Sequence, residues 1–145
     1  MKHLIIIGAR GWGREVFGMA HRVESYMSGE MDIKGFLDDK ADALDGLRCA
    51  WGEFPPILGP VETYVPEVDD VFVCALGEAK YRRKYAEMIL ARGGKFVSVI
   101  DPKAIVSAAA DIGPGSIIGA WTTISNNVTI GAFAMIHSFC TFGHD

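Results

Sequence analysis

The residues of this sequence best equipped for chemistry lie at its two ends. Gly143-His144-Asp145 places an imidazole beside a carboxylate. A neutral imidazole can take the proton from a hydroxyl or amine as that group attacks an acyl carbon. A neighbouring carboxylate can hold the ring in the required tautomer. His144 and Asp145 are thus a candidate base and helper; the alternative is a histidine capping an edge above Asn126. A second imidazole, His137, reads either as part of an acceptor site or as a surface histidine. Near the start, Gly8-Ala9-Arg10-Gly11-Trp12-Gly13 has the spacing GxxGxG. Glycines between a strand and a helix expose backbone N–H groups that can hold a phosphate. Gly8, Gly11 and Gly13 fit that role, and they equally fit a tight strand–helix turn. The spacing is not the GxGxxG of dinucleotide sites. Asp38 and Asp39 follow an apolar run, where a carboxylate can accept from ribose hydroxyls or a base N–H, or sit in a solvated turn. Gly77 closes another apolar run and belongs beside the same crevice.

The elements that must position these groups follow from periodicity. His3 to Ile7 reads as a buried strand. Arg14 to Glu24 reads as a helix, with Val16, Phe17, Ala20 and Val23 on one face. Asp32 to Leu37 is a second strand, and Lys40 to Pro66 has no resolvable pattern. Asp70 to Leu76 is a third strand. Ala79 to Arg92 is a helix stopped by Gly93-Gly94, and Lys95 to Val99 is a fourth strand. Strand–helix–strand alternation implies a parallel sheet with right-handed crossovers. Residues 1–99 are thus expected to form a small Rossmann-like α/β domain.

From Ile100 the period becomes six. Ile100, Val106, Ile112, Ile118, Ile124, Ile130, Ile136 and Phe142 recur in phase, and Ala104, Ala110, Ser116, Thr122, Val128, Ala134 and Cys140 follow four residues after the first seven. Glycine often stands one residue after, at Gly113, Gly119, Gly131 and Gly143, where the turn backbone would use it. A six-residue period fits a triangular solenoid with one hexad per side. Residues 100–145 are therefore expected to begin a left-handed parallel β-helix in which Ile100, Ile118 and Ile136 form one interior column. Trp121 and Phe139 should stack on one outer face. The hexads stop partway through a third coil, which implies a truncated piece or a partner over the open end.

Ile7 to Glu15, Phe36-Leu37-Asp38-Asp39, the hexads and Gly143-His144-Asp145 together resemble the bacterial sugar O- and N-acyltransferases of the hexapeptide-repeat family. These include sialic acid O-acetyltransferases and N-acetyltransferases acting on nucleotide-linked 4-amino sugars. The resemblance covers the whole chain. It implies acetyl transfer from acetyl-CoA to an amino or hydroxyl group of a sugar, a homotrimeric β-helix, and a UDP-sugar or related sugar held by the glycine loop and the paired aspartates. It implies His144 as general base. Glu78 departs from the amide or Asp that relatives often carry, and His137 from their Asn. The family's CoA site lies between subunits, largely on coils beyond the histidine, so the 145-residue chain is expected to be inactive alone.

Composition bounds the rest. A net charge of -4 offers no field for nucleic acid, which needs clustered Lys and Arg. Lys80-Tyr81-Arg82-Arg83-Lys84 reads as a solvated helix face. Cys49, Cys74 and Cys140 lack CxxC spacing, which suits a reducing cytoplasm and argues against a disulfide framework or a zinc site. No stretch approaches a membrane span. Two rivals remain: a non-catalytic nucleotide-sugar-binding module, separable by its failure to bind CoA, and a dinucleotide-dependent oxidoreductase, in which the hexads have no role.

Overall fold

The computed structural model describes residues 1–145. Five strands, β1 (Lys2–Ile7), β2 (Met31–Leu37), β3 (Ile57–Gly59), β4 (Asp70–Cys74) and β5 (Lys95–Phe96), form one sheet in the order β3-β2-β1-β4-β5. Every pairing in it is parallel. Helices α1 (Gly11–Ala20) and α2 (Glu24–Met27) connect β1 to β2, and α3 (Ala79–Ala91) connects β4 to β5. The alternation of strand side chains divides the core. Leu4 and Ile6 of β1 pack with Val16, Phe17 and Ala20 on one face. Ile5 and Ile7 pack with Phe72 and Ile89 on the other. Both faces of β1 are covered, so its apolar run is unbroken rather than alternating.

Several sequence expectations shift at their edges. The first helix begins at Gly11 rather than Arg14, closed by the bond from the Arg14 N–H to the Arg10 carbonyl. Glycine is a poor helix former, and packing outweighs that propensity here. The helix ends at Ala20 rather than Glu24, and a separate single turn, α2, begins at Glu24. β4 stops at Cys74, two residues before Leu76, and β5 stops at Phe96 because the chain leaves the sheet. The unreadable stretch holds turns and the edge strand β3. The end of α3 is a Schellman motif: Gly94 N–H donates to the Ile89 carbonyl and Gly93 N–H to that of Leu90. The three cysteines are free, and burial pushes the Cys74 thiol up to about 12.

Beyond the sheet, eight two-residue strands follow: β6 (Val99–Ile100), β7 (Ile105–Val106), β8 (Asp111–Ile112), β9 (Ile117–Ile118), β10 (Thr123–Ile124), β11 (Thr129–Ile130), β12 (Met135–Ile136) and β13 (Thr141–Phe142). They stack as three parallel ladders, β6-β9-β12, β7-β10-β13 and β8-β11. Each residue sits on the one eighteen away: Ile118 pairs with Ile100 and with Ile136. The large residues of the hexads meet inside, with Ile118, Ile124, Ile130 and Ile136 buried among Ala104, Ala110, Val128 and Ala134. Ser116 and Thr122 are buried too, their hydroxyls satisfied by the carbonyls of Gly113, Gly131 and His137.

The turn backbone differs from the expectation. From Ile112 onward the residue with positive φ is the third after the interior residue, not the first: Gly115, Trp121, Asn127, Phe133, Phe139 and Asp145. Only the first of these is glycine. Two of the four glycines at the next position, Gly113 and Gly119, serve stacking instead, while Gly131 and Gly143 face open space. A Cβ on Gly113 would lie 2.4 Å from the Ala132 nitrogen, and one on Gly119 2.6 Å from that of Ser138.

The coil shares the apolar core of the sheet through Val99 and Ile117 and is fastened further by side-chain contacts. Arg22, just past α1, donates to buried Asp101 at 2.6 Å. Arg82 of α3 donates to the Phe133 carbonyl at 3.1 Å. Phe133 packs edge-on to Phe96. Trp12 packs on His137, with ring centroids 4.4 Å apart.

Candidate functional site

In a parallel sheet whose strand order reverses, the crevice outside the carboxyl ends at the reversal is where ligands enter. Here β1 sits between β2 and β4, and a cavity of about 500 Å³ opens there. Gly8, Asp38, Asp39 and Gly77 all line it. Four positions singled out from the sequence thus converge on one place.

The glycine loop divides by role. Gly8 has φ +97, and a Cβ there would lie 2.8 Å from the Leu76 side chain. Gly13 is buried against the strand end, and its Cβ would sit 1.8 Å from the Gly8 carbonyl oxygen. These two are fixed by the tight turn. Gly11 faces open space, with nothing within 4 Å of a Cβ. No packing demands a glycine there, and it is the first residue of α1, whose unpaired N–H groups and dipole favour an anion. Gly11 and Gly13 are not themselves on the cavity wall; Arg10 and Trp12 between them are.

The two aspartates also separate. Asp38 accepts from the Ala9 N–H at 2.9 Å and from the Lys40 N–H at 3.0 Å. Burial pushes its carboxyl up, but these backbone hydrogen bonds and the charge of Arg10 together hold it below the ordinary carboxylate value. Asp38 is thus a brace for the loop. Asp39 is exposed in the crevice with its oxygens free of that duty.

Sequence reasoning missed much of the opposite wall. Glu62 comes from the stretch without pattern. Tyr81 lies in the stretch read as a solvated helix face and Tyr85 in a helix given no site role, yet both line the cavity. The Tyr85 hydroxyl is raised, first by burial and then by Glu62. The basic stretch is corrected as well. Arg82 is half-buried and turned inward; its Nη1 donates to the carbonyls of Leu76 at 2.9 Å and Gly77 at 3.3 Å, while Nε reaches the coil. Arg83 is exposed and pairs with Glu87.

His144 and Asp145 stand apart from the crevice lining, on the coil. His144 Nδ1 and Asp145 Oδ2 are 3.1 Å apart. Asp145 Oδ1 accepts from the Asn127 amide at 3.0 Å. That bond, and then the one to His144, lower the Asp145 carboxyl. A proton on Nδ1 would be the one to meet Asp145, which would leave Nε2 facing outward, since the ring is 82% exposed. His137 is joined to the crevice indirectly, through Trp12, whose Nε1 is buried without a hydrogen-bond partner. Trp121 and Phe139 are 55% and 79% exposed. No helix is long and apolar enough to cross a membrane.

Comparison with known proteins bears on this arrangement. Among curated proteins the chain is 29% identical, over 83% of its length, to a UDP-N-acetylbacillosamine N-acetyltransferase of Bacillus subtilis (strain 168). It is 27% identical, over 97% of its length, to a GDP-perosamine N-acetyltransferase of Escherichia coli O157:H7. It spans 52% and 61% of the length of these two relatives. Among solved structures it is similar to the acetyltransferase domain of PglB from Neisseria gonorrhoeae FA1090 in complex with acetyl coenzyme A. That likeness has a TM-score of 0.61 and 28% identity over 97% of this chain and 66% of that one. The sequence model of the PglD N-terminal domain matches residues 3–89, which hold the sheet through β4, the glycine loop, both aspartates and most of α3. With more than half of its residues inside that match, the chain belongs to the PglD N-terminal domain family.

Proposed function

We propose that this chain takes part in acetyl transfer from acetyl-CoA to an amino or hydroxyl group of a nucleotide-linked sugar. The observation that carries the reading is the crevice at the β1–β4 reversal, where Gly8, Arg10, Trp12 and the exposed Asp39 face one cavity beside the N-terminus of α1, whose first residue, Gly11, is unobstructed. The diphosphate of a UDP-sugar or related nucleotide sugar lies against Gly8, Gly11 and the α1 N-terminus, with Arg10 near its charge. Asp39 accepts from the nucleoside, and Gly77 borders it. Residues 1–99 act as the nucleotide-sugar-binding domain. Residues 100–145 form the start of a left-handed β-helix that assembles as a homotrimer in the cytoplasm. The names of the relatives, both sugar N-acetyltransferases, support this reading.

In the reaction the sugar amine or hydroxyl adds to the thioester carbonyl carbon while Nε2 of His144 takes its proton. The tetrahedral intermediate then expels the CoA thiolate, which receives that proton from the imidazolium. Asp145 steadies the imidazolium through Nδ1, and His137 borders the acceptor. A thioester is already activated, so holding the attacker in line supplies much of the rate.

The test has two parts. Calorimetric titration of UDP and GDP should show binding of at least one to the chain; silence from both overturns the reading. In the protein that carries these residues, His144→Gln should slow CoA release by about 10²–10⁴-fold and leave nucleotide affinity unchanged. Undiminished turnover removes His144 from the mechanism.

A further inference from the structure

Resting on the nucleotide-sugar reading of the crevice, we propose that Arg82 is a positioning residue. It locks one lip of the crevice onto the coil, so that a ligand held by the sheet is presented in fixed register to groups on the coil.

The guanidinium spans two parts of the molecule. Nη1 donates to the Leu76 and Gly77 carbonyls, which belong to the lip formed where β4 runs into α3. Nε donates to the Phe133 carbonyl on the coil, 51 residues away in sequence. A planar fork with several fixed donors can make both contacts at once, while an ammonium on a flexible stem acts from one point. Each bond is charge-assisted, so each is stronger than a neutral one. Lys80, Arg83 and Lys84 beside it on α3 are exposed, which marks Arg82 as the member of the basic stretch turned to internal use.

The far end of the bridge is not an arbitrary carbonyl. Phe133 holds φ 58, a left-handed backbone that a bulky residue adopts only when its surroundings impose it. Its ring packs on Phe96, and its N–H donates to the Pro114 carbonyl at 2.9 Å. Four residues on, His137 packs against Trp12 of the opposite lip. Both lips of the crevice are thus fastened to one short stretch of coil, residues 133 to 137, and anything that settles the lips must settle that stretch. Two sites joined by such contacts are coupled when a ligand at one favours a single arrangement of both.

Hydrogen exchange at the amides of residues 131–137 tests this, measured with and without saturating UDP or GDP, whichever binds. In the wild-type chain the nucleotide should slow exchange there by at least about threefold. Arg82→Lys keeps the charge but cannot span both sets of carbonyls. It should bind the nucleotide within about threefold of wild type and lose the slowing. Arg82→Met should do the same. Should Met prevent folding, as a lowered melting temperature and collapsed dispersion would show, Lys still decides. Full slowing in Arg82→Lys overturns the proposal, because charge alone then suffices. Loss of nucleotide affinity in parallel also overturns it, since Arg82 would then serve binding itself. So does absence of any effect on the wild-type coil. If no nucleotide binds the wild type, the crevice reading fails first and takes the proposal with it, and that result is distinct from the others.

Discussion

Gly11 and Gly13 occupy the same loop two residues apart, and the structure gives them opposite jobs. A Cβ at Gly13 would meet the Gly8 carbonyl oxygen at 1.8 Å, and both atoms belong to backbone held by the strand and the helix. Gly13→Ala should therefore abolish cooperative folding or cost several kcal/mol, about the upper range for single substitutions. Gly11→Ala meets nothing, and alanine is the better helix former by about 1 kcal/mol. Its melting temperature should hold or rise while diphosphate affinity falls by about tenfold, the equivalent of roughly 1.4 kcal/mol. Calorimetry and thermal melts on both variants separate a phosphate cradle from a plain turn; full affinity in Gly11→Ala would leave only the turn. The aspartate pair allows a second separation. The folded-state pKa of Asp38 lies below its ordinary value. The stability it contributes is thus present above that ordinary value and is lost as pH falls through the folded pKa. Asp38→Asn should flatten the acid limb of the stability–pH curve, whereas Asp39→Asn should weaken nucleoside binding.

At the scale of elements, sixfold spacing was legible because it has no competitor. Neither a helix nor an alternating strand repeats at six, and the interior column of Ile100, Ile118 and Ile136 follows from counting alone. The strands of the sheet were legible for a related reason, since β1 is apolar on both faces. What the spacing did not reveal was the backbone. Left-handed turns fall on Trp121, Phe133 and Phe139, residues whose intrinsic preference is against them. Stacking of coils imposes that conformation, and no single-residue propensity registers it. The crevice was half legible. Its glycines and aspartates sit at strand ends, where position implies role. Its other wall comes from Tyr81, Tyr85 and Glu62, which only the fold brings together. Ile118 tests the column itself. It is wholly buried between two stacked isoleucines. Ile118→Ala should cost about 2–5 kcal/mol by denaturant unfolding. A cost below about 1 kcal/mol would mean that the coil interior is loosely packed.

At the scale of the whole molecule, the question is what makes the sheet and the coil behave as one body. Arg22 and Asp101 are the second charged fastening beside Arg82, and their burial is lopsided. The Asp101 side chain is 1% exposed, and that of Arg22 is 46% exposed. Asp101 also accepts from the Lys103 N–H at 2.9 Å, and Arg22 donates to the Gly18 carbonyl at 3.0 Å. Removing the arginine strands a carboxylate inside the joint, a loss larger than any gain from the pair itself. Half-exposure of the arginine moderates that loss, so Arg22→Met should cost about 2 kcal/mol, between a surface pair and a buried one. Asp101→Asn should cost less, because a neutral amide is cheaper to bury and its oxygen can still accept from Lys103. The double variant should cost less than the sum of the two, since the stranded charge is gone, and the shortfall should be about 1 kcal/mol. Urea unfolding of the four proteins measures this directly. If the two costs simply add, the latch is ornamental, and the sheet and coil are held by Arg82, the aromatic contacts of Trp12 and Phe96, and the shared apolar core around Val99 and Ile117.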